Sequence, residues 1–147
     1  MFTAERKRFV AVPAERVRAV LGDIRYLPRL IPHTDHVEVQ AQCEERARVA
    51  LTLRIKGLGS QRVEGEARIV PDGVRFVAVR PMEIDARWIV VPRDNGAEVR
   101  ARLTTEVPKP LQSIARLIPR RLIEERVGTE LEAALDALEA VLTEQTA

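Results

Sequence analysis

The sequence predicts an α+β domain in which one curved, seven-stranded antiparallel sheet wraps around a long C-terminal helix, with two short helices after strand one. Three observations predict it. From Thr34 to Val107, runs of alternating apolar and polar residues are separated by short turn signals, which describes an antiparallel meander with one polar face. From Leu111 to Leu142, apolar residues recur at helical spacing over the only stretch long enough to cover the other face. Ahead of both, a short apolar strand runs into a proline and then a helix. The 147 residues fit one domain, 1–147, able to bury about two thirds of its unfolded surface.

The first strand is expected over Glu5 to Val12, closed by Pro13. Val17, Val20 and Leu21 then mark a helix from Ala14 to Leu21, stopped by Gly22. A second short helix runs from Asp23, its N-cap, to Leu30, and Pro28 and Pro32 limit its regularity. Six strands follow. Their inner faces read Val37, Val39, Ala41, Cys43; Ala47, Val49, Leu51, Leu53, Ile55; Val63, Gly65, Ala67, Ile69; Val74, Phe76, Ala78; Met82, Ile84, Ala86, Trp88, Val90; and Ala97, Val99, Ala101, Leu103, Thr105, Val107. In the fifth strand Val77 and Val79 compete with the even set, which is preferred. Turns are expected near Gly57 and Gly59, at Pro71-Asp72-Gly73 with glycine at positive φ, and at Asn95-Gly96 as a type I′ hairpin. The final helix enters after Pro108 and Pro110 and runs to about Thr143, with Pro119 kinking or dividing it.

Composition excludes several functions. Net charge is +2, with acidic and basic residues interleaved, so no dedicated nucleic-acid surface is expected. No apolar run reaches the roughly 20 residues that span a bilayer, and no signal-type segment follows Met1, so a cytoplasmic protein without stable membrane insertion is expected. The basic stretch Arg116, Arg120, Arg121, Arg126 leaves transient membrane contact open, although Glu124, Glu125 and Glu130 make a solvated face the simpler reading. Cys43 is the only cysteine, and the histidine pair His33 and His36 reads as surface, so neither a metal nor another cofactor is expected. The arginine-rich, asparagine-poor usage fits a GC-rich genome or a thermostable protein.

Many inner positions are small, which calls either for close approach of the helix or for a ligand in the space between. Candidate wall residues are Leu53, Ile55, Val63, Ala67, Phe76, Ala78, Arg80, Met82, Ile84, Trp88, Leu103 and Thr105 from the strands, with Ile118 and Leu122 from the helix. Leu27, Leu30 and Ile31 are a candidate gate. Gly128 reads either as a helix–sheet contact or as room for a ligand. Inward polar groups are few: Gln61, Arg80, Thr105, and with them Arg6 and Arg8. The carboxylates Glu64, Glu66, Glu83 and Asp85 fall on the solvent face, and no catalytic triad or phosphate loop is visible.

The order of elements, the opening Val10-Ala11-Val12-Pro13-Ala14-Glu15-Arg16-Val17, the corner Leu21-Gly22-Asp23 with Leu27-Pro28 and Ile31-Pro32, and the spacing of Trp88, Pro92, Gly96 and Val99 resemble the START-like, helix-grip (SRPBCC) superfamily. Within it the chain is most similar to the polyketide cyclase/dehydrase, lipid-transport and coenzyme Q-binding-like branch. That resemblance implies a cavity between sheet and helix that takes an apolar small molecule: a lipid, an isoprenoid quinone or a polyketide-like aromatic. The alternatives are a cyclase or dehydrase using Arg80 and Thr105, and a protein-interaction module.

Overall fold

The computed structural model describes residues 1–55, 59–80 and 82–146, without the side chains of Ile55 and Thr146. The expected fold is present. β1 (Phe2–Val10) leads to α1 (Ala14–Leu21), a single 3-10 turn (Ile24–Tyr26) and α2 (Leu27–Leu30). The strands β2 (Thr34–Gln42), β3 (Arg46–Ile55), β4 (Gly59–Val70), β5 (Gly73–Arg80), β6 (Ile84–Arg93) and β7 (Gly96–Thr105) follow. After a 3-10 turn (Lys109–Leu111) come α3 (Gln112–Ala115) and α4 (Arg120–Thr146). The sheet order is β1-β7-β6-β5-β4-β3-β2, antiparallel throughout, a meander whose last strand receives the first along its edge.

Pro119 divides the last helix because a ring in place of an N–H cannot continue the hydrogen-bond ladder. In the corner, the Asp23 carboxylate accepts from the Arg25 backbone N–H at 3.0 Å, as the N-cap reading requires. Its bonds to the Arg25 side chain hold that carboxyl below the usual aspartate range. β1 lies three residues earlier than expected at its start, since its pairing with β7 begins at Phe2–Thr105.

Four local expectations change. The last hairpin turns on Asp94-Asn95, with Asn95 at φ +66°, and Gly96 opens β7 because Val10 O and the Phe9 ring occupy the space of a Cβ. Gly73 is likewise needed for close approach, to the Trp88 carbonyl, and is not at positive φ. A bulge between Val39 and Ala41 sets Gln42 opposite Ala47, so Ala41, opposite Arg48, leaves the inner face. A second bulge pairs Glu64 with Arg80 but Gly65 with Ala78. Paired residues share a face, so Arg80 joins Glu64 on the outer side, exposed, and is corrected from inner to outer. The preference for Val74, Phe76 and Ala78 as the inner set of β5 agrees with their burial. Gly59 has φ +72°, while the turn expected at Gly57 lies outside the described residues.

The core is in two parts. One joins β1, β7, β6, α1 and the C-terminal half of α4 around Val17, Val99, Leu135 and Leu138. The other joins β3, β4 and β5 to the corner around Val49, Leu51, Val63 and Phe76.

Candidate functional site

The site lies where the two core clusters meet, and its floor follows from the strand register. Phe2, Thr105, Ile84, Ala78, Gly65 and Val49 are successive partners in one row across the inner face. Ala4, Leu103, Ala86, Phe76, Ala67 and Ala47 form the next. Small side chains therefore surround one large ring. The Phe76 ring fills the space above Gly65, whose Cβ would fall 2.7 Å from Phe76 Cζ. Part of the smallness read in the sequence is thus consumed by packing, and Ala78, Val63, Met82 and Phe76 are buried in the second cluster.

α4 does not lie down the middle of this floor. It follows β1: Arg120 donates to the Met1 carbonyl and sits 5.1 Å from the Phe2 ring centroid, and Glu124 accepts from the Thr3 N–H at 2.9 Å. Gly128 packs against the Arg6 guanidinium, so it is a helix–sheet contact. Arg8 reaches Glu132 at 2.6 Å, Asp136 at 2.5 Å and Glu139 at 3.0 Å. Burial alone would pull Arg8 down, but these three carboxylates hold it above the ordinary arginine range. Both inward arginines of β1 serve to seat the helix.

Over β7 and β6 the inner face is only partly covered, and we call this opening the slot. Its floor residues Ile84, Ala86, Trp88, Leu103 and Thr105 face inward yet are only half-buried. Leu27, Ile31 and Leu53 pack against the second cluster, while Leu30 belongs to the first and Val127 packs against it. Ile118 and Leu122, also expected to line the space, are 42% and 45% exposed. Ile55 lies outside the described side chains. A separate small pocket of about 50 Å³ sits on the far flank of the corner, where Ile24 and Leu27 face Ala47, Ala67, Ile69 and Val74.

Among the described residues no polar or charged residue is fully buried. Thr105 donates its hydroxyl to the Glu106 carbonyl at 3.1 Å. Sequence reasoning missed Thr34. A bulge at Asp35 sets it opposite Leu53 on the inner face, and its Oγ1 is shielded from water without a hydrogen-bond partner among the described residues. Only the bulge puts it there, and alternation conveys no bulge. Ile24 and Val37, also at the second cluster, were visible as apolar positions but not as neighbours of the site.

Other candidate chemistry disperses. His33, exposed and at φ +64°, meets Glu130 at 2.9 Å, and among the described residues no group of three His, Cys, Asp or Glu side chains could hold a metal. On the outer face Glu64 pairs with Arg62, Glu66 with Arg68 and Asp85 with Arg75. The arginine bonds hold the Glu66 and Asp85 carboxyls below their usual ranges, which suits an ion pair and not a proton donor.

The family model described as polyketide cyclase / dehydrase and lipid transport matches residues 1–143. No curated protein matches the chain in sequence. Among solved structures, the Zhui aromatase/cyclase from Streptomyces sp. R1128 is similar at 17% identity and TM-score 0.75, over 99% of this chain and 95% of that one. A START superfamily protein from Mycobacterium smegmatis is 16% identical with TM-score 0.74, covering 99% of both chains. A STAR-related lipid transfer protein from Xanthomonas axonopodis is 18% identical with TM-score 0.71, over 95% of this chain and 84% of that one. At these identities the likeness is one of fold.

Proposed function

The chain belongs to the polyketide cyclase / dehydrase and lipid transport family, and from that premise we propose that it binds and carries a hydrophobic small molecule in the slot between β6–β7, the corner and α4. The observation that carries this reading is the apolar floor at Ile84, Ala86 and Leu103, inward-facing residues that are only partly covered. Solved structures named for lipid transfer and for aromatase/cyclase activity share the fold, which supports a flat or chain-like apolar ligand such as a lipid, isoprenoid quinone or polyketide-like aromatic. Thr34 Oγ1 offers such a molecule a single polar anchor. A cyclase or dehydrase would draw on inward polar groups, and Arg80, one of the two expected, has turned outward. We place the protein in the cytoplasm, where its exposed lone thiol, Cys43, is chemically at home. Among the described residues no helix is long and apolar enough to cross a membrane.

Trp88, the only tryptophan, belongs to the slot floor and packs against the first core cluster, so its fluorescence reports on the slot. Titration with a decyl-benzoquinone and with a tricyclic aromatic polyketide should change its fluorescence saturably, and an organic extract of the purified protein should hold an apolar molecule by mass spectrometry. Ala86→Phe fills the floor and should weaken binding about tenfold with little loss of stability, whereas Ala78→Phe, in the packed cluster, should cost about 1–3 kcal/mol of stability. An empty extract together with an unresponsive Trp88 would sink the reading.

A further inference from the structure

The segment between β7 and the second turn of α4 differs from the rest of the chain in two independent ways. Residues 107–123 hold four cations (Lys109, Arg116, Arg120, Arg121) and no carboxylate, so the remainder carries 20 basic against 22 acidic side chains. The whole positive excess of the protein sits in this segment. Among the described residues Lys109, Arg116 and Arg121 are exposed and have no carboxylate within ion-pairing distance, while Arg120 is held by Met1 O, the Phe2 ring and Glu124. The second difference is apolar exposure. Of ten large hydrophobic side chains left exposed among the described residues, four fall within nine consecutive positions: Ile114 (56%), Leu117 (85%), Ile118 and Leu122.

This arrangement is built rather than frayed. Leu117 N–H donates to Ile114 O at 3.0 Å, Ile118 N–H to Ala115 O at 3.1 Å, and Gln112 Nε2 ties the segment to Val107 O at 3.2 Å. Apolar tips rimmed by unpaired cations match a surface with an apolar interior beneath anionic headgroups. A second copy of the chain would set the cations of one patch against those of the other. Residues 107–123 include no aromatic side chain for a nucleic-acid base to stack on, and the nearby Phe2 ring is occupied by Arg120. Two residues of the patch, Ile118 and Leu122, are also among those expected from the sequence to line the apolar space.

We propose that residues 109–122 dock the protein on an anionic lipid bilayer, with Ile114 and Leu117 entering the headgroup boundary and Lys109, Arg116 and Arg121 meeting lipid phosphates, so that the slot opens toward the membrane. The proposal rests on the slot's reading as an apolar-ligand site for its purpose, but not for its test.

Vesicles of phosphatidylcholine with about a third phosphatidylglycerol, compared with phosphatidylcholine alone, supply the partner in a flotation assay. The wild-type protein should float with the anionic vesicles and be released by high salt. Arg116→Gln with Arg121→Gln should weaken partitioning about 25-fold, near fivefold for each charge. Ile114→Ser with Leu117→Ser should lose about tenfold. Both pairs are exposed, so unchanged thermal unfolding is expected and separates lost docking from lost folding. The proposal is overturned if the wild type ignores anionic vesicles, if both double variants float as well as it does, or if sedimentation shows a stable dimer that Leu117→Ser dissociates. Ala86→Phe should still float while losing quinone affinity; a wild-type protein that floats but binds neither quinone nor polyketide would sink the slot's reading and leave the docking surface standing.

Discussion

The two ends of the last helical stretch carry the same kind of apolar stripe and meet opposite fates. Leu131, Leu135, Leu138, Val141 and Leu142 close over β1, β7 and α1, and all are buried. Ile114, Leu117, Ile118 and Leu122 repeat the stripe about four turns earlier and are largely exposed. The difference lies in what faces them. The C-terminal half has α1 and the apolar end of β7 opposite it, while Arg120, Glu124 and Gly128 hold the N-terminal half along β1, clear of the centre of the sheet. Identical side chains thus build a core at one end and leave a lipid-like surface at the other.

The largest expected effect tests that contrast directly. Leu138→Ala should destabilise the protein by about 2–5 kcal/mol, because a fully buried side chain leaves a cavity. Leu117→Ala should change stability by less than about 0.5 kcal/mol. Denaturant unfolding of the pair measures both, and comparable losses would mean that the N-terminal half is also core.

Much of this was legible in the sequence, and the physics explains which part. Alternation located the six strands after His33 because burial of one face demands a period of two, and Pro119 marked the break between α3 and α4 because it lacks an N–H. Arg80, Ala41 and Thr34 were misplaced or missed for one shared reason. Ala41 and Arg80 follow a bulge and Thr34 precedes one; the extra residue inverts the faces on its two sides relative to each other while leaving composition unchanged. The exposure of Ile118 and Leu122 was not legible because an apolar stripe specifies that something covers it, without saying what. Their residue types are those of the buried half.

Thr34 sharpens the comparison from the open side. A shielded hydroxyl without a partner among the described residues is unfavourable in a closed core, and this one lies opposite Leu53 on the inner face. Thr34→Val should therefore raise stability by about 1 kcal/mol in the ligand-free protein, by removing that unmet group. The same change should weaken a carbonyl-bearing quinone more than a plain hydrocarbon of equal size. Calorimetry with the two ligands separates the effects; equal affinity changes would mean that Thr34 touches neither.

The smallest effect concerns the outer face beneath the slot floor. Asp85 bonds Arg75 through 3.0 and 2.7 Å contacts, which hold its carboxyl below the ordinary aspartate range. A carboxyl depressed by folding stabilises the folded protein above its unfolded-state pKa, and that contribution fades as pH falls through the lower folded-state value. The pair is about a third exposed, so Asp85→Asn should cost less than about 1 kcal/mol near neutrality. The difference from wild type should shrink on acidification below the usual aspartate range. If the slot's openness reflected a loose sheet, loss of this cross-strand pair would spread to the inner face and lower quinone affinity as well. Retained affinity in Asp85→Asn, beside its small acid-sensitive loss of stability, would place the openness in the path of α4 and not in the sheet beneath it.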